Sequence, residues 1–284
     1  MRITVRVPAT SANLGPGFDC FGLALELCNE VTVDTDAAPG ILWEGEGASE
    51  LPVDGSDLIS ATMRQVAGDR ELPAFSLHAI DRVPLARGLG SSSTAVVAGA
   101  AAALGLLGDD PSMQRVFMHA AAIEGHPDNA APACFGGFTI ATPGGLVRRL
   151  DPHPDLRPVV LVPEHTRLPT DEARQALPDV VARNDAVFNV AHAALAVEAF
   201  TRDPSLLADA LHDRLHQDAR LQLVPEVREV FEAVRAAGVP VCVSGAGPSL
   251  LAFPDDEREL PETRSGWRLL SPGLRTSGFE IDVE

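Results

Sequence analysis

Residues 84–94, PLARGLGSSST, lead without a break into an apolar, alanine-rich stretch at 94–107, TAVVAGAAAALGLL. The apolar stretch is shorter than the roughly 20 residues that a helix needs to cross a bilayer, so it predicts a helix buried inside the protein. Such a helix requires a sizeable core around it. The chain can supply one, because it has 284 residues, of which 45% are hydrophobic.

The glycines and serines in front of this helix are suited to binding phosphate. Gly88 and Gly90 permit backbone conformations that larger residues resist, which allows several N–H groups to converge on one anion. A helix that begins near Ser92 directs its N-terminal N–H groups and positive dipole end to the same place. The alternative is a serine-rich helix cap after a glycine turn, and the segment alone leaves both interpretations open. Ser93 stands where a G-x-G-x-x-G motif has its last glycine, which disfavours a dinucleotide-binding fold.

The sequence contains no lysine, so all 22 of its basic residues are arginine. This excludes the G-x-x-x-x-G-K-[ST] phosphate loop, a protein kinase with a strand lysine, and enzymes that form a Schiff base through lysine. A nucleotide bound by this chain therefore needs a phosphate site without lysine, and residues 84–94 offer one.

Charge and hydrophobicity restrict the partners of the protein. The net charge is −18 and the pI about 4.7, so no broad basic face for nucleic acid is expected. No apolar run approaches a membrane span, and the N-terminus has no apolar signal region, so we expect a cytoplasmic protein without a membrane partner. The cysteines form no C-x-x-C pair and are expected to be reduced thiols; they are Cys20, Cys28, Cys134 and Cys242.

Hydrophobic patterns along the chain predict an α+β architecture in two domains. Strands are expected at 2–7, near 75–80 and at 158–163, at two places around a turn within 18–34, on both sides of a glycine turn within 240–253, and in the tail at 279–283. Helices are expected at 57–67, 94–107, 112–124, 186–200 and about 204–219, with a further helix ending at Gly238. Pro8 and the run SANLGPG at 11–17 predict a loop. The Pro- and Gly-rich region around 143–158 is the expected boundary between domains 1–150 and 151–284.

Three smaller features have competing interpretations. Glu124 ends a predicted helix and precedes GHPDN at 125–129; beside bound phosphate it would suit Mg²⁺, and otherwise it would be a solvated helix-end residue. The turn SGAGPS at 244–249, taken alone, predicts a plain hairpin turn. His212 and His216 lie four residues apart on a predicted helix, a spacing that allows zinc binding but is more typical of a solvated helix face.

Three of these segments, in this order, resemble the GHMP kinases, a superfamily that includes galactokinase, mevalonate kinase and homoserine kinase. They are PATSANLGPGFD at 8–19, PLARGLGSSS at 84–93 and SGAGPS at 244–249. Within the superfamily the homoserine kinase family is the most similar, and the resemblance covers essentially the whole chain. Its more specific segments are NLGPGFD at 13–19, EGHPDNAAPA at 124–133, PTDEAR at 169–174, DARLQLVPEVRE at 218–229 and LRTSGFEID at 274–282.

The resemblance implies a fold and an activity. The fold is the GHMP kinase fold, an N-terminal ribosomal-S5-domain-2-like domain followed by a C-terminal ferredoxin-like domain, with the substrate between them. The activity is ATP-dependent phosphorylation of the side-chain hydroxyl of L-homoserine, a step of threonine biosynthesis, and a homodimer is left open. The alternatives are another small-molecule kinase of the superfamily and a non-catalytic ligand-sensing protein, which should lack Glu124 or the loop glycines.

The resemblance also implies roles for individual residues. Asp19 would bind the substrate ammonium group, Arg174 and Arg220 its carboxylate, and Ser92 and Glu124 the Mg²⁺ ion. The residues implied to surround the ATP phosphates are Pro84, Leu85, Ala86, Arg87, Gly88, Leu89, Gly90, Ser91, Ser92, Ser93 and Thr94. Those implied around the reacting hydroxyl are Asn13, His126, Asn129 and Thr170.

Catalysis is expected to involve Asn13, His126 and Asn129. An amide accepts no proton at neutral pH, so Asn129 can orient the substrate hydroxyl but cannot deprotonate it. We therefore expect phosphoryl transfer without a carboxylate base, with His126 as the main competitor for that role.

Overall fold

Two β-sheets and the helices packed on them are described for residues 1–255, 258–262 and 265–284 in a computed structural model. The strands are β1 (Arg2–Ala12), β2 (Phe21–Asp34), β3 (Gly40–Gly45), β4 (Ser76–Asp81), β5 (Phe138–Ala141), β6 (Val147–Leu150), β7 (Val159–Pro163), β8 (Val241–Val243), β9 (Leu250–Ala252), β10 (Trp267–Leu270) and β11 (Glu280–Val283). The helices are α1 (Leu58–Ala67), α2 (Ser91–Leu106), α3 (Met113–Glu124), α4 (Ala130–Phe135), α5 (Thr170–Gln175), α6 (Arg183–Thr201), α7 (Leu207–Ala210), α8 (Gln217–Leu223) and α9 (Pro225–Ala236), with a 3-10 turn at Pro204–Leu206.

Each of the two sheets is built from strands of one half of the chain, with one exception. The first sheet has the order β11-β1-β2-β4-β3, and β5 pairs with β2 and with β6. The second has the order β10-β7-β9-β8 and is antiparallel throughout, which is the strand order of a ferredoxin-like sheet. The exception is β11, which returns from the chain end to pair with β1. The tail therefore belongs to the first sheet, and the boundary at residue 150 stays a prediction.

The first two strands are longer than the sequence pattern predicts. The loop expected from Pro8 begins only after Ala12, and residues 18–34 hold the single strand β2 rather than two strands around a turn. The reason is a bulge, because Pro8 pairs with Cys28 while the next residue, Ala9, pairs with Leu25. Proline is tolerated at a bulge because the ladder hydrogen bond is already interrupted there.

The buried helix predicted at 94–107 is α2, and it lies at the centre of the N-terminal core. Apart from Ala95, its alanines and valines are almost inaccessible to solvent, and α1, α3 and strand β1 pack against it. The small side chains allow close approach: a Cβ at Gly99 would lie 2.7 Å from the carbonyl oxygen of Ile59 on α1. The interpretation of the alanine-rich segment as core is confirmed.

The helix predicted at about 204–219 is wrong, because the segment contains several short elements. The Asp203 side chain accepts a hydrogen bond from the Ser205 N–H and caps the 3-10 turn. Asp213 then accepts hydrogen bonds from the backbone N–H groups of His216 and Gln217 and starts α8 as a new helix. Side-chain acceptors of this kind compete with helix continuation.

Two other expectations concern membranes and cysteines. No helix of the described residues is long and apolar enough to cross a membrane. All four cysteines are free thiols, and Cys28, Cys134 and Cys242 are buried.

Candidate active site

Three glycine-containing segments meet where the two sheets adjoin. The Ser244 hydroxyl oxygen lies 2.7 Å from the carbonyl oxygen of Gly88 and 2.8 Å from the hydroxyl of Ser11. The Asn13 side-chain amide donates a hydrogen bond to the Gly245 carbonyl at 2.8 Å. The turn at 244–249 therefore connects the N-terminal loop to the central loop, a position that the hairpin interpretation of this turn did not include.

The glycines of the central loop are required by packing as well as by conformation. Gly88 and Gly90 have φ angles of +70° and +69°, a region that side chains disfavour. A Cβ on Gly88 would lie 2.1 Å from the carbonyl oxygen of Ser244, and one on Gly90 would lie 2.0 Å from the hydroxyl of Thr10. Either substitution would separate the segments that meet here.

A cavity of about 440 Å³ opens between these segments and brings most of the predicted site residues together. The N-terminus of α2 and the end of α3 lie on its border. The predicted residues that line it are Asn13, Asp19, Ala86, Gly88, Gly90, Ser91, Ser92, Glu124, His126, Asn129, Thr170, Arg174 and Arg220. Six predicted loop residues do not line it: Pro84, Leu85, Arg87, Leu89, Ser93 and Thr94.

Three side chains of the central loop point away from the cavity and contact other parts of the protein. Leu89 is buried in the apolar core. Arg87 reaches the second sheet, where its Nε and Nη2 each lie 2.9 Å from a backbone carbonyl oxygen, that of Pro163 and that of Glu164. The Thr94 hydroxyl is buried and donates to the Ser91 carbonyl. Phosphate contacts by these three side chains stay predictions that the geometry does not favour.

Glu124 is held at the N-terminus of α2 by two serines. Helix α3 ends there because Gly125 adopts the left-handed conformation, with φ of +77°. The Glu124 carboxylate accepts hydrogen bonds from the Ser92 hydroxyl at 3.0 Å and the Ser93 hydroxyl at 2.5 Å. Burial raises the pKa of Glu124, and the serine hydrogen bonds oppose that shift. The Glu124 carboxylate therefore faces the central loop at residues 84–94, where a metal ion beside bound phosphate would need a ligand.

Asp19 and Arg174 form a bidentate ion pair on the other side of the cavity. The guanidinium nitrogens of Arg174 lie 2.8 Å and 2.9 Å from the two carboxylate oxygens of Asp19. The hydrogen bond to Asp19 raises the pKa of Arg174. Asn13 fixes the Asp19 backbone, since its side-chain oxygen accepts the Asp19 N–H at 2.9 Å. The Asn13 amide is thus occupied at both ends, and its predicted contact with the substrate hydroxyl remains a prediction.

Arg220 is more deeply placed than Arg174. It is 3% exposed, and burial lowers its pKa to about 10. Its Nη1 donates to the Gly245 carbonyl at 2.8 Å and lies 3.1 Å from Nδ1 of His216. Its Nε is buried and has no hydrogen-bond partner among the described residues. Buried donors are rarely left unpaired, so this edge of the guanidinium is available to a ligand.

His126 and Asn129 flank a buried carboxylate. Nδ1 of His126 lies 3.0 Å from Asp128, and this hydrogen bond raises the pKa of His126. The side-chain oxygen of Asn129 accepts the Thr10 hydroxyl at 2.8 Å, which orients the amide at the cavity wall. A raised pKa increases the fraction of His126 that is protonated, and a protonated imidazole accepts no further proton.

Sequence reasoning missed Asp128, Phe18 and His216. Asp128 lies in EGHPDNAAPA next to Asn129, and Phe18 lies in NLGPGFD next to Asp19. Their position beside residues with predicted roles is the signal by which they could have been found. His216 was expected on a solvated helix face, yet it is 1% exposed and precedes α8. Among the described residues no group of three or more His, Cys, Asp or Glu side chains is arranged to hold a metal.

A smaller cavity of about 210 Å³ adjoins the α2 N-terminus and shares Leu58, Ser91 and Ser92 with the main one. Its walls are mostly apolar, with Trp43 and Leu51 among them. Asp81 also lines it, and burial raises the pKa of this carboxyl to about 6. The cavity is thus small and mostly apolar, and it lies next to the loop at residues 84–94.

Comparison with known proteins agrees with the class that the fold and site define. The family model "GHMP kinases N terminal domain" matches residues 57–137, and "GHMP kinases C terminal" matches residues 193–269. The chain belongs to the GHMP kinases, and its fold is the α+β fold of that superfamily.

Individual relatives show to which family within the superfamily the chain belongs. A homoserine kinase of Clavibacter michiganensis is 45% identical over 99% of this chain and 94% of its own length. The crystal structure of a homoserine kinase from Cytophaga hutchinsonii has a TM-score of 0.82 at 25% identity, covering 99% of this chain and 97% of the other. That of a putative homoserine kinase from Listeria monocytogenes has a TM-score of 0.79 at 30% identity, covering 99% of both chains. Within the superfamily the chain belongs to the homoserine kinase family.

Proposed function

We propose that this chain transfers the γ-phosphoryl group of ATP to the side-chain hydroxyl of L-homoserine, yielding O-phospho-L-homoserine. The observation that carries the proposal is that one cavity joins two chemically different ends. Ser92 and Glu124 stand at the phosphate loop, and Asp19, Arg174 and Arg220 line the same cavity.

The phosphate end binds ATP through backbone and small side chains. The first N–H groups of α2 have no partner within the helix, so they and the helix dipole attract phosphate oxygens. The neighbouring apolar cavity beside Trp43 and Leu58 would accept the adenine base. Because the chain has no lysine, this site needs the glycine loop for the contacts that a lysine supplies in other kinases.

Mg²⁺ fits the residues at this end. Magnesium in ATP sites takes one or two carboxylates and hydroxyls, while phosphate oxygens and water complete its shell. Glu124 with the hydroxyls of Ser92 and Ser93 is such a donor set, positioned beside the phosphate loop. When bound, the ion would neutralise charge that develops on the phosphate oxygens. Of the two serines only Ser92 lines the cavity, whereas Ser93 is buried, so Ser92 is placed to be the second ligand.

The amino-acid end is complementary to a zwitterion. An amino acid needs an anion for its ammonium group and guanidinium donors for its carboxylate. Asp19 supplies the anion, while Arg174 and Arg220 supply the cations. A bound amino acid would insert its own opposite charges beside the Asp19–Arg174 pair. The Nε of Arg220, for which the described residues offer no hydrogen-bond acceptor, would donate to the carboxylate.

The proton of the substrate hydroxyl would pass to a phosphate oxygen or to water. Asn129 orients the hydroxyl but accepts no proton. His126 is paired through Nδ1 with Asp128, which raises its pKa, and the proposal assigns it no base role. A loose phosphoryl-transfer transition state needs positioning and charge stabilisation more than early proton removal.

The place in threonine biosynthesis and the cytoplasmic location rest on the sequence and the family alone. The non-catalytic alternative is disfavoured because Glu124 and the loop glycines are retained and lie together.

The proposal is tested by measuring ADP release with Mg-ATP and L-homoserine, mevalonate, galactose or L-threonine. We expect L-homoserine to be turned over fastest. ³¹P NMR should show a phosphate monoester coupled to two methylene protons, since the accepting oxygen is on a CH₂ group. Equal or faster turnover of mevalonate or galactose would contradict the assignment.

A further inference from the structure

Phe18 lies between three cationic or aromatic groups of the amino-acid end. The guanidinium carbons of Arg174 and Arg220 are 5.7 Å and 5.3 Å from its ring centre. The His216 ring stacks on the same phenyl group, with centroids 5.2 Å apart and an angle of 28° between the planes. The phenyl ring thus contacts both guanidinium groups and the imidazole ring.

The hydrogen bonds of His216 define its tautomer. Its Nε2 lies 2.8 Å from the carbonyl oxygen of Gly15. A carbonyl oxygen can only accept, so Nε2 carries the hydrogen and donates it. In the neutral ring, Nδ1 then has a free lone pair, and it accepts from Nη1 of Arg220 at 3.1 Å.

The neutral state of His216 agrees with its surroundings. The ring is buried, and burial lowers its pKa, while Asp213 opposes this from 3.8 Å away. A proton on Nδ1 would face the Arg220 guanidinium and remove its acceptor. The geometry therefore requires a neutral imidazole beside a charged arginine.

This arrangement leaves one edge of Arg220 for a ligand. Nη1 carries two hydrogens, and its two acceptors are the Gly245 carbonyl and His216. The remaining donors are Nε and Nη2, which together form a fork that matches a carboxylate. Nε is buried and has no partner among the residues that the structure describes.

We infer that His216 is a positioning residue, which accepts from Arg220 and, with Phe18, turns the Nε and Nη2 edge of that guanidinium toward the substrate carboxylate. The inference rests on the proposed function. His216 does not line the main cavity, so it would act only through Arg220, which does. Its loss should therefore weaken recognition of the carboxylate and leave the phosphate end unaltered.

The test compares L-homoserine with 3-aminopropan-1-ol, which has the same amine and hydroxyl but no carboxylate. His216→Leu removes the acceptor, whereas His216→Asn keeps an oxygen near the position of Nδ1. His212→Leu is the matched control, because His212 lies four residues away and outside the main cavity.

We expect His216→Leu to lower kcat/KM for L-homoserine by about 10- to 100-fold, the usual effect of losing a hydrogen bond to a charged group. The value for 3-aminopropan-1-ol and the KM for ATP should change by less than about threefold, within the scatter of surface substitutions. His216→Asn should restore most of the loss, and His212→Leu should resemble the unaltered protein.

Equal losses on both substrates, or no loss in His216→Leu, would overturn the inference. If His216→Leu does not fold, Phe18→Leu must show the same selective loss for the inference to stand. A native protein that uses the two substrates equally well would instead contradict the proposed function, and this inference with it. The comparison of substrates in the unaltered protein thus separates the two failures.

Discussion

The two ends of the cavity are built in different ways. At the phosphate end, the glycine loop, the α2 N-terminus and Glu124 are short-range features, each contained in one segment of the chain. At the amino-acid end, Asp19, Arg174, Arg220 and His216 come from distant segments and hold one another through side-chain contacts. The phosphate end relies on backbone groups, and the amino-acid end relies on ion pairs and hydrogen bonds between side chains.

This difference has a functional consequence. A phosphate site built from backbone groups serves any acceptor with a suitably placed hydroxyl. The amino-acid end of the cavity must then determine which acceptor is bound. Substitutions at the phosphate end should affect all substrates, and those at the amino-acid end should affect amino acids alone.

The largest effect is expected at the phosphate end. Glu124→Gln keeps the size of the side chain but removes its charge, so kcat should fall by about 100- to 1,000-fold and the Mg²⁺ requirement should rise. Titration of turnover against Mg²⁺ measures both changes. Glu232→Gln, an exposed carboxylate on α9, is the control. Unaltered activity and Mg²⁺ dependence would reduce Glu124 to a helix-end residue.

A large but selective effect is expected for Arg220→Ala. Losing a partner from a buried charged contact costs about 2–5 kcal/mol, so kcat/KM for L-homoserine should fall by at least about 30-fold. The KM for ATP should stay nearly constant. This effect should exceed that of Arg174→Ala, because Arg220 is buried whereas the Arg174 side chain is partly exposed. A loss of ATP affinity as great as the homoserine loss would refute a carboxylate role.

Arg174→Ala should have a smaller effect, of about tenfold on kcat/KM for L-homoserine. The Arg174 side chain is 41% exposed, so solvent screens its charge. Its removal also frees Asp19, which partly compensates by binding the ammonium group. Steady-state kinetics at two salt concentrations would show the residue's contribution, which should shrink as salt rises. An effect larger than that of Arg220→Ala would contradict this ranking.

His126→Ala should lower kcat by only a few-fold, since base catalysis typically contributes 100-fold or more and none is assigned to this residue. The pKa of His126 is raised by Asp128, so its cationic fraction is increased near neutral pH. The pH–rate profile should keep its acidic limb in the variant, and Asn129→Ala provides the comparison. Abolished turnover together with loss of that limb would identify His126 as the base.

The smallest effect concerns stability and pH. Burial lowers the pKa of folded His216 below its ordinary value of 6.5, so the unfolded chain binds more protons as the pH falls through 6.5. The folded state should then lose up to about 1.4 kcal/mol per pH unit from this group. Urea unfolding at pH 7.5 and 5.5 should show a smaller pH effect in His216→Asn. An equal effect in both proteins would mean that His216 titrates normally.

The sequence predicts the phosphate end better than the amino-acid end, for a physical reason. The buried helix α2, its glycine loop and the end of α3 depend on local patterns, and each was expected near its observed place. The strand pairing around Pro8 was misjudged because a bulge depends on the partner strand. The burial of His216 and its contact with Gly15 join residues 201 positions apart, and no local pattern encodes them.

The separation of the two ends is tested most directly by measuring Glu124→Gln and Arg220→Ala with both L-homoserine and 3-aminopropan-1-ol. We predict that Glu124→Gln lowers kcat/KM for the two substrates by the same factor, within about threefold. Arg220→Ala should lower the value for L-homoserine by at least about 30-fold and leave that for 3-aminopropan-1-ol nearly unaltered. Equal losses on both substrates in Arg220→Ala would contradict the account, because this arginine would then not recognise the carboxylate.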